Sequence, residues 1–275
     1  MKRIILSSGR SGSTWLAKLL NEINCICVIS DLIEPCGHNF ILNKEVFING
    51  QEFDLLLNHS SHKERSWYWN KESTIERLYI PTEKKEYSLL ESYTIPFLNL
   101  EVEDTLTKIT QMLRTRNDAS CKDHLLSVFD LLTSLSGSQN WIERTGGSLM
   151  ESDKVIRNFP EAKYIVLERN FETTSQSMAN YPFFRLYHRL KHKEALQYAM
   201  MYEHVEPQKF MEDIKRDNEK CYSFLNEYGC RYQTIKYEDL VMDTHSILSL
   251  VCGFFEINTT KEDIESAINK FPPKK

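Results

Sequence analysis

The sequence predicts an α/β protein: a central parallel β-sheet flanked by helices. Three observations carry this. Residues 4–20 pass from a short apolar run, Ile4-Ile5-Leu6, through a small polar loop with two glycines, into Trp15, Leu16, Leu19 and Leu20 at helical intervals. The same succession of strand, turn and helix recurs at 141–156 and again at 164–177. A last strand pattern, 231–236, follows a long amphipathic helical pattern at 206–227. Strands alternating with helices are the signature of a sheet covered on both faces.

The 275 residues, 41% hydrophobic and 27% charged, suit a folded chain with a sizeable core. Length alone allows one large domain or two small ones; the reading adopted is one domain over 1–275, with 39–136 as a substrate-facing insertion and helical cover. No stretch approaches the ~20 apolar residues of a membrane span. The first strand begins almost at residue 1, which leaves no room for a signal peptide, so a cytoplasmic location is expected. Seven cysteines, with no CxxC pair, point to reduced thiols rather than to a disulfide framework or a metal site. Cys25 and Cys27 alternate in an apolar stretch, which predicts that they share one strand face. The net charge of -5 argues against a general nucleic-acid binder but leaves room for a local basic pocket.

In the first loop, Gly9 and Gly12 let the backbone approach an anion, Ser11, Ser13 and Thr14 add hydroxyl donors, and Arg10 adds a permanent, forked cation. The following helix start contributes unpaired N–H groups and the positive end of its dipole. Phosphate or sulfate is the expected guest. The glycine spacing is not that of the nucleotide loop GxxxxGK[ST], which disfavours an ordinary ATP or GTP site.

Residues 23–30 predict the second strand. Asp31-Leu-Ile-Glu-Pro-Cys-Gly-His38 then emerges at the same sheet edge as the anion loop, because parallel strands end together, and this singles out Glu34. Residues 39–100 mix aromatics and charges without a clean period, as lids and substrate walls do. Trp67-Tyr68-Trp69 reads equally as an acceptor face or as a half-buried strand; His59 and His62 lie near it as candidate bases or plain structural residues. Two helices are predicted within 102–136 from Leu106, Ile109, Met112 and Leu113, and from Leu125, Leu126, Phe129, Leu131 and Leu132, with 114–120 as an exposed connection. Trp141 to Leu149 reads as strand, glycine turn and helix start, with Ser148 as N-cap. A helix ends at Pro160, Tyr164–Leu167 form a buried strand closed by Arg169, and the next helix carries Ser177. Two turns of that helix lift Ser177 onto the side that faces Arg169. The basic, aromatic stretch 181–202 predicts a half-buried helix. The tail, 247–268, predicts two covering helices.

Ser8-Gly9-Arg10-Ser11-Gly12-Ser13-Thr14-Trp15 resembles the 5′-phosphosulfate loop of sulfotransferases that use 3′-phosphoadenosine 5′-phosphosulfate (PAPS). Arg169 with Ser177 eight residues later is similar to the family's 3′-phosphate motif, although Phe171 stands where the family has Pro. Arg144-Thr145 resembles the family's Lys-Thr, with Gly146 in place of the histidine that serves cytosolic animal enzymes as base. Tyr237-Glu-Asp-Leu resembles a tetrapeptide whose Tyr lines the adenine pocket, and Trp15 inherits a similar role. The C-terminal Arg-Lys-Gly of the cytosolic animal enzymes is missing.

The resemblance implies a P-loop NTPase-like sulfotransferase fold and transfer of a sulfuryl group from PAPS to a hydroxyl or amine of a small intracellular metabolite. It gives Arg10, Ser11, Gly12, Ser13, Thr14, Trp15, Arg169, Ser177 and Tyr237 to the donor, and Arg10 and Arg144 to the transferring group. Glu34 is the expected general base, as in some bacterial and carbohydrate enzymes, with His38 second. Adenosine 3′,5′-bisphosphate is the implied product, no metal is expected, and the expected partner is a small-molecule acceptor rather than nucleic acid or membrane. The rival readings are a small-molecule kinase of the neighbouring P-loop group and a non-catalytic module that binds an adenosine phosphate.

Overall fold

In the computed structural model the described residues are 1–32, 46–58, 88, 90–181, 184–185, 188–189 and 204–273. Five strands form one parallel sheet: β1 (Arg3–Ser7), β2 (Ile26–Ser30), then β5 (Asn140–Arg144), β6 (Lys163–Glu168) and β7 (Arg231–Lys236). Two two-residue strands, β3 (Phe47–Ile48) and β4 (Ala119–Ser120), pair antiparallel apart from it. The order across the large sheet is β2-β5-β1-β6-β7, so β1 lies in the middle. Its neighbours are in register as Ile5↔Arg144 on one side and Ile5↔Ile165 on the other. The loop after β1 therefore opens between the loops after β5 and β6, at the carboxyl edge where open α/β sheets take ligands.

Both faces of β1 are buried, which explains why its sequence is a continuous apolar run. Ile4 and Leu6 face one core with Cys27, Ile29, Tyr164 and Val166; Ile5 faces the other with Val28, Ile142, Ile165 and Leu167. The first core is covered by α3 (Val102–Arg114), α4 (Cys121–Leu135), α5 (Ser152–Asn158) and α7 (Pro207–Glu227), with α2 (Gly50–Asn58) beside them. The second is covered by α1 (Ser13–Asn21), α9 (Thr244–Phe254) and α10 (Lys261–Lys270), which follow the short α8 (Tyr237–Met242). Tyr164, fully buried, donates its hydroxyl to the Phe159 carbonyl at 2.7 Å, so the ring is buried without an unpaired polar atom.

The helix starts obey local chemistry. Glu101 and Ser120 cap α3 and α4, Asn170 caps α6 (Phe171–Ala179), Asp243 caps α9, and Thr260 with Asp263 forms a capping box on α10. Two expectations need correction. Ser148 caps nothing: the short 3₁₀ turn Ser148–Glu151 starts from left-handed Gly147, and the Ser148 hydroxyl instead accepts from the Ser7 amide at 3.2 Å, stitching this turn to β1. Cys25 and Cys27 do not share a strand face. Cys25 precedes β2 in a left-handed conformation (φ 67) and packs beside the second core, while Cys27 sits in the first. The predicted connection 114–120 ends in β4, which pairs Ser120 with Phe47. Among the described residues, no helix is long and apolar enough to cross a membrane.

Candidate active site

The anion loop is built from left-handed residues. Gly9 (φ 33), Arg10 (φ 58) and Gly12 (φ 89) all have positive φ, and left-handed steps of this kind turn backbone N–H groups toward a concavity. For Gly12 the requirement is also steric: a Cβ there would lie 2.2 Å from the Tyr237 ring. Gly12 is the N-cap of α1 and brings no capping side chain, and the first turn of α1 contains no acidic residue. The helix start thus keeps its donors and positive dipole for an incoming anion. The Ser11 hydroxyl is fully buried without a hydrogen-bond partner, an orphan polar atom in the loop.

On the β6 side, one Arg169 nitrogen donates to the Arg10 carbonyl at 3.0 Å, holding that left-handed residue, and its guanidinium lies 4.7 Å from the Tyr237 ring centroid. Arg10 Nε donates to Ser177 Oγ at 3.2 Å and its guanidinium lies 5.0 Å over Tyr181. Phe171 does not disturb this geometry. The preceding Asn170 accepts from the Thr173 amide at 3.0 Å and its own amide donates to Glu238 at 2.9 Å, so the cap and α8 set the entry of α6. Trp15 meets Tyr237 edge-on, ring centroids 6.1 Å apart, and its indole N–H donates to the Phe271 carbonyl at 3.0 Å.

On the β5 side, Arg144 is buried and forks across the loop. Its Nε and one terminal nitrogen donate to Ser13 Oγ at 3.1 and 2.9 Å, and that same nitrogen reaches Thr14 Oγ1 at 2.6 Å. Its other nitrogen donates to Asp31 at 2.6 Å. The second Asp31 oxygen accepts from the Gly146 amide at 2.7 Å. Next to them, burial pushes the Glu143 carboxyl up to about 8, opposed by the Thr145 hydroxyl and raised further by the Asp31 charge. Among the described residues, no group of three or more His, Cys, Asp or Glu side chains is placed to hold a metal ion.

A family model described as "Sulfotransferase family" matches residues 4–261. The chain belongs to the sulfotransferase family. Among solved structures, the sulfotransferase domain from the Synechococcus PCC 7002 olefin synthase superposes with a TM-score of 0.55 at 19% identity, over 97% of this chain and 76% of that one. The sulfotransferase domain from the curacin biosynthetic pathway gives 0.51 at 18% identity, over 97% of this chain and 77% of that one. At these identities the likeness is one of fold. No curated protein sequence matches.

The sulfotransferase fold brings most of the predicted residues to one edge. Arg10, Ser11, Gly12, Ser13, Thr14, Trp15, Arg169, Ser177 and Tyr237 surround the β1–α1 loop, and Arg144 joins them from β5. Glu34, His38, His59, His62 and Trp67–Trp69 lie outside the described residues. Sequence reasoning missed Asp31 and Tyr181. Asp31 had a signal: it is the first residue after an apolar strand whose carboxyl end meets the loop. Tyr181 had none, since its stacking on Arg10 joins two segments far apart in the chain.

Proposed function

We propose that this sulfotransferase moves the sulfuryl group of PAPS to a hydroxyl or amine of a small intracellular molecule. One observation supports the reading above the others: Arg169 and Ser177, from β6 and α6, both meet Arg10 of the β1 loop. A ligand seated here meets cations from both the β1 loop and the end of β6, and an adenosine with anionic 3′ and 5′ substituents would present a charge to each. Trp15 and Tyr237, in edge-to-face contact beside the loop, offer an aromatic surface for a base to lie against.

The donor supplies an activated sulfuryl group on a phosphate oxygen. In transfer, the acceptor oxygen or nitrogen bonds to sulfur, the bond from sulfur to that phosphate oxygen breaks, and adenosine 3′,5′-bisphosphate leaves. Negative charge gathers on the leaving oxygen, and fixed donors around it lower the barrier. Arg10, the hydroxyls of Ser11, Ser13 and Thr14, and the amides opening α1 are the proposed donors. Arg169 and Ser177 would hold the 3′-phosphate, and Tyr237 and Trp15 the adenine. The acceptor proton goes to a general base, proposed as Glu34 from its place three residues past Asp31, with His38 second.

Calorimetric titration tests the donor assignment. The protein should bind adenosine 3′,5′-bisphosphate more tightly than adenosine 5′-monophosphate. Arg169→Ala or Ser177→Ala should weaken the bisphosphate about ten- to hundredfold, the range expected for hydrogen bonds to a charged group, and weaken the monophosphate distinctly less. Mass spectrometry of acceptors incubated with PAPS then reads the transfer. A protein indifferent to the 3′-phosphate would refute the assignment.

A further inference from the structure

Asp31 and Arg144 form an ion pair at the carboxyl edge, their side chains 17% and 5% exposed. Such pairs are poor stabilisers, because desolvating two charges costs about as much as their attraction returns. Their placement asks for another explanation, and the direction of each hydrogen bond supplies one. A guanidinium only donates, so Ser13 Oγ and Thr14 Oγ1 are both acceptors toward Arg144. Ser13 Oγ accepts twice, which uses both of its lone pairs and leaves its O–H to donate elsewhere. Thr14 Oγ1, also an acceptor toward Arg144, likewise keeps its O–H for another partner. Both residues open α1, where the loop gathers its amides.

Resting on the donor reading above, we infer that Asp31 is a positioning residue: it fixes the Arg144 fork so that the Ser13 and Thr14 hydroxyls stand as donors toward the 5′ anionic group of the donor. Three features hold Asp31 in this task. Its amide donates to the Arg144 carbonyl at 2.9 Å, its left-handed backbone (φ 59) turns the carboxylate inward, and one carboxylate oxygen is anchored on the Gly146 amide. The fourth feature is the glycine itself. A Cβ on Gly146 would lie 3.3 Å from an Arg144 nitrogen, a tight contact, and would touch an Asp31 oxygen at 3.4 Å, so a side chain at 146 presses on the Arg144 end of the pair. The space beside residue 146 is taken by this pair, and the pair acts through two hydroxyls.

Asp31→Asn is the test. Asn keeps the shape, tolerates a left-handed backbone and can still accept from Gly146, but it removes the charge that holds the guanidinium. Calorimetry compares adenosine 3′,5′-bisphosphate with adenosine 3′-monophosphate, and the ratio of their affinities isolates the grip on the 5′ group. In Asp31→Asn this ratio should fall about tenfold, with the monophosphate within about twofold of wild type, as expected for loosened hydrogen bonds to an anion. Ser13→Ala should lower the same ratio, and the double variant should lower it little further, because both act in one chain of contacts. Gly146→Ala, which crowds the same pair from the other side, should reproduce the effect should Asp31→Asn fail to fold. An unchanged ratio overturns the inference and leaves the donor reading standing. An equal loss for both nucleotides also overturns it, by showing a merely structural pair. A wild-type protein that binds neither nucleotide overturns the donor reading and this inference together.

Discussion

Gly12→Ala perturbs the site at its tightest point, and the structure allows its effect to be worked out. Alanine at φ 89 takes on the left-handed penalty, about 1–2 kcal/mol. Its methyl would also stand 2.2 Å from the Tyr237 ring, well inside contact distance, and forcing a core-like contact apart costs about 1–3 kcal/mol. The sum, about 2–5 kcal/mol, is a large share of the ~5–15 kcal/mol that holds an ordinary domain together. The two parts separate in a double-mutant cycle. Tyr237→Ala removes the clash but not the backbone penalty, so Gly12→Ala should cost about 1–3 kcal/mol less in the Tyr237→Ala background, measured by urea unfolding. Binding gives a second readout: because the ring must move or the loop must open, Gly12→Ala should also weaken adenosine 3′,5′-bisphosphate in the Tyr237 protein. A Gly12→Ala protein with wild-type stability and affinity would refute the argument, since neither the left-handed turn nor the contact with Tyr237 would then be required.

Burial pushes the Glu143 carboxyl up to about 8 from an ordinary 4.5, so between those values the folded chain keeps a proton that the unfolded chain has lost. Stability should fall as pH rises through that window, by at most about 1.4 kcal/mol per pH unit, and Glu143→Gln should flatten this slope in urea unfolding at pH 5 and pH 8. Thr260→Ala removes the hydroxyl half of the capping box on α10, the acceptor of the Asp263 amide, and should cost about 1 kcal/mol in stability with no change in nucleotide affinity, which makes it a control remote from the loop.

What was legible in the sequence follows from the range of the interactions that decide it. β1, β6 and β7 are short apolar or alternating runs ending in punctuation, and β7 spans the predicted 231–236. Arg169 and Ser177 stood out by resemblance to a family motif, and each of them meets Arg10. Ser148 failed as a cap because its hydroxyl was claimed by β1, 141 residues away, and nothing at 145–152 announces that. Cys25 failed because a period-2 pattern cannot show that the chain takes a left-handed step before β2 starts. β3 and β4 are two residues each, too short for any pattern. Asp31 and Arg144 lie 113 residues apart, and only the pairing of β2 with β5, Ser30↔Arg144, brings them together.

The sheet order explains how a chain of net charge -5 presents a cationic site. Charges separated by more than a Debye length, about 8 Å at physiological salt, are largely screened, so an anion in the loop responds to its immediate neighbours rather than to the total. With β1 central, the loops from β5 and β6 reach it from opposite sides, each with one arginine, and Arg10 stands in the loop itself. The three are not equivalent. Arg144 is paired with Asp31, so its contribution near the loop is a set of oriented donors more than a net charge. Arg10 and Arg169 lie against the aromatic rings of Tyr181 and Tyr237. The β6 side thus adds the Arg169 guanidinium, and the β5 side adds orientation. For a ligand with anionic groups at both ends, this makes the two ends unlike: Arg169 offers its charge to the 3′ group, while at the 5′ group the charge of Arg10 is joined by hydroxyls that the Arg144 fork orients.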